Sequence, residues 1–224
     1  MLLEIKALIN AAQLEKIHEL LTQSQYVDGK VTAGKAAAQV KNNLESSLSA
    51  QQQQLLNRIL MASLGNHAQF KSFALPNRMA DFIFSRYETG MTYGDHTDDA
   101  IMGGAGGRFR TDVSMTVFLN EPDTYEGGEL VVRTPFGDKR VKLNAGDAVV
   151  YPSASVHHVA EVTSGVRQVA LTWMQSYVRD AAQRELLFEL DQAREKLLAD
   201  QPQAQETKYV DRCYSNLLRM WADV

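Results

Sequence analysis

The sequence predicts a mainly β protein with flanking helices, an α+β fold built on a jelly-roll core, and three observations support this. Residues 78–177 break into short β-branched or aromatic segments, punctuated by Gly, Pro, Asn and Asp, with no helical pattern between them. Residues 1–77 and 178–224 instead space most of their apolar residues at helical period. The 224 residues, 45% hydrophobic and 22% charged, suit one sizeable core with decorations.

The N-terminal region, residues 1–77, is expected to be mostly helical and to pack on the core. Leu14, Ile17, Leu20 and Leu21 recur at helical spacing. The stretch "DGKVTAGKAAAQVKNN" reads as loop with one strand at most. A second helix is expected from about Ser49 to Leu64, with Leu55, Leu56, Ile59 and Leu60 on one face and "LGN" ending it through a glycine cap.

In the middle region, strands are expected at "ADFIFSRYE", "SMTVFLN", "GELVVRT", "KRVKL", "DAVVYP", "HHVAEV" and "RQVALTWMQSY". Many short strands without intervening helices indicate an antiparallel sandwich or barrel. The C-terminal region, residues 178–224, reads as a helical hairpin broken near Pro202. Leu186, Leu187, Leu190, Ala193 and Leu197 mark its first helix, and Tyr209, Val210, Cys213, Leu217, Met220 and Trp221 its second. The hairpin is expected to pack on the sheet and offers a surface for homo-oligomer formation. Cys213, the single cysteine, is expected to be a buried structural thiol.

The bulk properties exclude several function classes. A formal net charge of −4 leaves no basic excess to neutralise phosphates, so nucleic acid is not an expected partner. The first 21 residues carry Glu4 and no basic leader, and no apolar run is long enough for a membrane span. One cysteine forms no internal disulfide, which suits a reducing, cytoplasmic setting.

Chemistry concentrates in "YGDHTDDA". His96 and Asp98 lie two apart, and on a strand such residues face the same way, so both reach one ion. Spacing favours Asp98 over Asp95 and Asp99. The chain has only five histidines: His18, His67, His96, His157 and His158. His18 and His67 have no partner at metal-ligand spacing. His157 and His158 are adjacent on a strand-like segment and face opposite sides, so one of them completes a site of two histidines and a carboxylate. That set is the facial triad of non-haem Fe(II) oxygenases, and zinc is the competing metal. Arg167 follows His157 by ten residues and shares a strand face with Val169, Leu171 and Trp173. An arginine among apolar inward positions calls for an anion.

H-x-D, a second histidine about 60 residues later and an arginine ten further on form a pattern that resembles the 2-oxoglutarate/Fe(II) dioxygenases. The stretches "RYETGMTYGDHTD", "SMTVFLNEPDTYEGGELVV" and "LNAGDAVVYPSASVHHVAEVTSGVRQVALTW", with the flanking "NNLE", resemble the prolyl 4-hydroxylase-like branch, and within it the bacterial PKHD-type hydroxylases, a PiuC-like group associated with iron uptake. The resemblance extends over nearly the whole chain. It implies a double-stranded β-helix core and selects His157 over His158, because the family runs H-x-V-x-P-V here and "HHVAEV" fits with His157 first. Glu161 stands where proline is usual.

The resemblance further implies Fe(II) on His96, Asp98 and His157, 2-oxoglutarate chelating the iron with its far carboxylate on Arg167, and O2 as second cosubstrate. Tyr87 is implied as a further 2-oxoglutarate contact and L-ascorbate as reductant. Decarboxylation to succinate and CO2 would be coupled to hydroxylation of a small-molecule or peptidyl substrate. Tyr93 and Arg110 are weaker candidates for the substrate mouth. The glycines at 103, 104, 106 and 107 are expected in a mobile loop beside the site. The rival reading is a metal- or 2-oxoglutarate-binding sensor without turnover, which succinate production would distinguish.

Overall fold

Helix starts follow their capping residues in the computed structural model, which describes residues 1–104 and 107–224. After strand β1 (Leu3–Ile5), helix α1 (Ala11–Thr22) opens on a reciprocal box in which Gln13 N donates to Asn10 Oδ1 and Asn10 N to Gln13 Oε1. β2 (Gln25–Asp28), β3 (Lys41–Asn42) and β4 (Leu44–Ser47) precede α2 (Ala50–Asn66), which opens on the same device at Ser49 and Gln52. Leu56, Leu60 and Leu64 are its buried residues, four apart on one face. The helix runs through Gly65 to Asn66, and His67 ends it, so the expected glycine cap does not form. His67 Nδ1 then accepts from Phe70 N and starts α3 (Ala68–Ala74).

The strands follow as β5 (Pro76–Met79), β6 (Ile83–Tyr87), β7 (Thr92–His96), β8 (Ile101–Met102), β9 (Phe109–Arg110), β10 (Val113–Phe118), β11 (Tyr125–Gly127), β12 (Leu130–Thr134), β13 (Gly137–Val141), β14 (Ala148–Pro152), β15 (His157–Val159), β16 (Val162–Gly165) and β17 (Arg167–Ser176). α4 (Ala181–Asp200) and α5 (Gln205–Trp221) end the chain. Every ladder is antiparallel. One sheet runs β1-β14-β10-β17-β6-β4-β2 with β5 beside β17, and the facing sheet runs β13-β12-β15-β7-β3.

Strand parity sorts the larger sheet's residues between two layers. Val113, Met115 and Val117 of β10, Ala148 and Val150 of β14, and Ala170 and Met174 of β17 pack with Ile17, Leu56, Leu60, Phe70 and Phe188 of the helices. Their neighbours Phe118, Val149, Tyr151 and Val169 face Leu130, Val132 and Val141 of the second sheet. The cavity described below opens between the sheets. This is the jelly-roll arrangement expected, and none of the described helices is long and apolar enough to cross a membrane.

Several local expectations are corrected. The segment up to residue 77 is only partly helical: β1 pairs with β14, β4 with β6 and β3 with β7, so short polar-flanked runs become strands because sheet edges await them. "HHVAEV" is two strands, for the chain turns at Ala160–Glu161 and β16 leaves to pair with β11. Leu186 is 56% exposed while its neighbours Leu187 and Phe188 are buried. Cys213 is exposed, because α5 turns Thr207, Val210, Tyr214 and Leu217 inward instead. Of the glycine-rich stretch, residues 105 and 106, including Gly106, lie outside the described residues. On either side of it β8 and β9 pair through Ile101↔Arg110 and Met102↔Phe109.

Candidate metal centre

A β-bulge builds the centre of the site. β7 and β15 register His96 with His157 and Tyr93 with Val159, so Gly94 and Asp95 on one strand oppose the single His158 on the other. Tyr93 and His96 would face opposite ways on a regular strand, and the extra residue turns both inward. Their rings stack with centroids 3.7 Å apart and planes 12° from parallel. Gly94 sits in the bulge, where a Cβ would come 2.9 Å from Val40 Cβ. Asp98 lies just beyond the end of β7 yet still converges with the strand-borne ligands.

Ligand atoms of His96, Asp98 and His157 all lie within 4.8 Å of one another. His157 Nε2 is 3.9 Å from Asp98 Oδ1. His96 Nδ1 lies 2.8 Å from Gly94 O and His157 Nδ1 lies 3.0 Å from Ser155 O. A carbonyl only accepts, so both rings carry a hydrogen on Nδ1, which leaves Nε2 as the nitrogen available to a metal. Burial, then the neighbouring His157, lowers the His96 pKa to about 4, so this imidazole is neutral at ordinary pH. Asp98 Oδ2 accepts from Ser114 Oγ, and Ser114 Oγ lies 2.7 Å from Ser153 Oγ. Two imidazoles and one anchored carboxylate on a single side of a cavity fit a divalent metal with open positions, and Fe(II) in particular.

Arg167 projects from the start of β17 into the same cavity and is 1% exposed. Its guanidinium carbon lies 5.0 Å from the Tyr87 ring centroid and 5.7 Å from that of Phe118. Among the described residues neither Nε nor Nη1 has a hydrogen-bond partner. A buried, unpaired cation between aromatic rings fits an anionic ligand. Tyr87 is fully buried beside it, and burial pushes its pKa up to about 12, so the phenol keeps its proton. Leu171, Trp173, Leu130, Val159 and Tyr151 complete the wall.

The remaining candidates divide. Tyr93 lines the cavity, and burial raises its phenol well above the ordinary range. Arg110 does not: its Nε binds Asp112 at 2.7 Å and Nη1 reaches Asp223 at 3.4 Å, which ties β9 to the C-terminal end and corrects its expected place at the mouth. His158 and Asp95 point to the outer face, paired at 2.8 Å, with Arg133 Nη2 2.6 Å from Asp95. His18 Nε2 bonds Leu119 O, and His67 caps α3.

Sequence reasoning missed Ser114 on β10, Ser153 in the turn just beyond β14, and the N-terminal contribution to the wall. Thr32, Gly34, Ala37, Lys41 and Glu45 all line the cavity. Lys41 and Glu45 form a buried ion pair that Thr32 also bonds, and Lys41 Nζ lies 5.3 Å from the Tyr93 ring centroid.

Comparison with known proteins bears on the same residues. The family model for the 2OG-Fe(II) oxygenase superfamily matches residues 82–175, and that for the PKHD-type hydroxylase C-terminal domain matches residues 181–223. A PKHD-type hydroxylase of Thioalkalivibrio sulfidiphilus is 49% identical over 100% of both chains, and one of Thermosynechococcus vestitus is 42% identical over 100% of both. Among solved structures, the viral collagen prolyl hydroxylase of Paramecium Bursaria Chlorella virus-1, in its 2OG complex, shares the fold with a TM-score of 0.55 at 14% identity, over 78% of this chain and 95% of that one.

Proposed function

The chain belongs to the PKHD-type hydroxylases of the 2OG-Fe(II) oxygenase superfamily, and on that premise we propose that His96, Asp98 and His157 hold its iron while Arg167 and Tyr87 receive 2-oxoglutarate. The enzyme is an oxidoreductase that uses Fe(II), 2-oxoglutarate and O2. When bound, iron and cosubstrate supply the oxidative chemistry: 2-oxoglutarate, O2 and a C–H substrate become succinate, CO2 and the hydroxylated product.

The chain's own residues bind, orient and exclude. Gly94 O and Ser155 O fix the two imidazole tautomers, and Ser114 takes up one Asp98 oxygen so that the other faces His157. Arg167 neutralises the far carboxylate of the cosubstrate, with the protonated Tyr87 phenol as a donor beside it. Leu130, Val159, Leu171 and Trp173 keep water from the reacting centre. The substrate is a peptidyl side chain or a small molecule such as an iron-uptake compound, ascorbate keeps the iron reduced, and the enzyme works in the cytoplasm. Homo-oligomers form through α4 and α5, where Leu186, Tyr209 and Met220 are exposed, and sedimentation measures this directly.

The observation that carries this reading is the buried Arg167 guanidinium, whose Nε and Nη1 have no partner among the described residues, in the same cavity as three converging metal ligands. It is tested by incubating the protein with Fe(II) and 2-oxoglutarate under air. Succinate is expected, and only when all three are present. Binding of both without succinate would contradict turnover. Ser114→Ala is expected to weaken Fe(II) binding by about tenfold or more, as loss of a ligand's supporting hydrogen bond does elsewhere, and a competition titration with a chelator measures it.

A further inference from the structure

Tyr125 belongs to none of the residues assigned so far. β11 carries it in the connection between β10 and β12, and it is 3% exposed. Its hydroxyl is buried and, among the described residues, has no hydrogen-bond partner. A buried hydroxyl without a partner is uncommon enough in native proteins to require a reason. Nε and Nη1 of Arg167 share that condition.

The two side chains are neighbours. Gly128, at φ +66°, sits against both: a Cβ there would come 3.0 Å from Arg167 Cδ and 3.1 Å from Tyr125 Cε2. A side chain at 128 would push phenol and guanidinium apart, and the left-handed backbone favours glycine as well. Tyr125 is held from its far side, where Lys142 Nζ lies 4.1 Å from the ring centroid and donates to Tyr125 O at 2.7 Å. Burial raises the Tyr125 pKa, with Arg167 opposing it, so the hydroxyl keeps its proton and has that proton to donate.

We infer that Tyr125 is a second binding residue for the far carboxylate of 2-oxoglutarate, donating its phenolic hydrogen bond beside Arg167. The inference rests on the role given to Arg167 above. Two unsatisfied donors side by side call for one ligand that only accepts, and a carboxylate with about four lone-pair sites satisfies both. The phenol oxygen can accept from the guanidinium, but Arg167 offers no acceptor, so the phenolic hydrogen still calls for one. The arrangement makes the cavity selective for a 2-oxo acid with a second carboxylate over one ending in a methyl group, because that end would leave both donors unpaired.

The test compares wild type with Tyr125→Phe as full-length, Fe(II)-loaded protein without oxygen, titrated with 2-oxoglutarate and with 2-oxopentanoate while the visible charge-transfer absorbance is followed. Tyr125→Phe is expected to raise the Kd for 2-oxoglutarate about tenfold or more, the effect of losing a hydrogen bond to a charged group. The Kd for 2-oxopentanoate should stay within about twofold, since that acid makes no use of the hydroxyl. The metal-free variant should melt no lower than wild type, because an unsatisfied polar atom has been removed. An unchanged Kd for 2-oxoglutarate, an equal loss for both acids, or a lower melting temperature would overturn the assignment of Tyr125 and leave Arg167 in place. A wild-type protein with no absorbance band would overturn the reading of Arg167 and this one with it.

Discussion

Asp98→Ala is expected to abolish iron binding and succinate formation while leaving the fold intact. Asp98 is the one anionic member of the triad, so its loss leaves a divalent ion with two neutral imidazoles. Supporting residues around a metal typically contribute 10- to 100-fold in affinity, so removal of a direct ligand should cost more than about 100-fold. Fold disruption is not expected, because Asp98 lies beyond β7 and the Ser114–Ser153 contact does not depend on it. Asp95→Ala is the control. Asp95 is exposed on the outer face with Arg133 and His158, where such pairs contribute ~1 kcal/mol or less. Equilibrium dialysis with Fe(II) should show full loading of the Asp95 variant and none of the Asp98 variant. Equal loading of both would move the metal elsewhere.

Arg167→Met should separate cosubstrate binding from metal binding. The substitution keeps a long side chain between Tyr87 and Phe118 but removes the charge. Charge-assisted hydrogen bonds contribute about 1.5–3 kcal/mol each, so losing two predicts a 2-oxoglutarate Kd raised roughly 100-fold or more. Iron loading should be unchanged, because among the described residues Arg167 makes no hydrogen bond to any of the three ligands. Stability gives a second readout. An unpaired cation at 1% exposure disfavours the metal-free fold, so the variant should melt at or above the wild-type temperature without ligands, and 2-oxoglutarate should no longer raise it. A variant that melts lower yet still binds 2-oxoglutarate tightly would show Arg167 to be a packing residue.

The legible part of the site was the part carried by residue type and spacing. His96, Asp98, His157 and Arg167 are scarce or costly side chains in a strand-rich region, and the fold brings all four to one cavity. Alternation along β17 placed Arg167, Leu171 and Trp173 on the cavity face. Other features were hidden because they arise only in three dimensions. No local signal marks the bulge that turns Tyr93 inward with His96, since register belongs to a pair of strands. Ser114 and Tyr125 are ordinary residues in sequence, and what sets them apart is what they lie beside. β1, β3 and β4 are too short to show period two, and they are strands because β14, β7 and β6 offer edges. Arg110, a weaker candidate for the substrate mouth, is drawn away by Asp112 and Asp223, partners that its place in the chain does not reveal.

The central claim is that one cavity holds Fe(II) on His96, Asp98 and His157 with 2-oxoglutarate reaching Arg167. Anaerobic addition of Fe(II) and 2-oxoglutarate, followed by visible absorption, tests it most directly. A metal-to-ligand charge-transfer band is predicted, absent in Asp98→Ala and His157→Ala and requiring far more 2-oxoglutarate in Arg167→Met. Folded protein that binds the metal yet develops no band would contradict the claim and leave a zinc-type site as the better description of these three ligands.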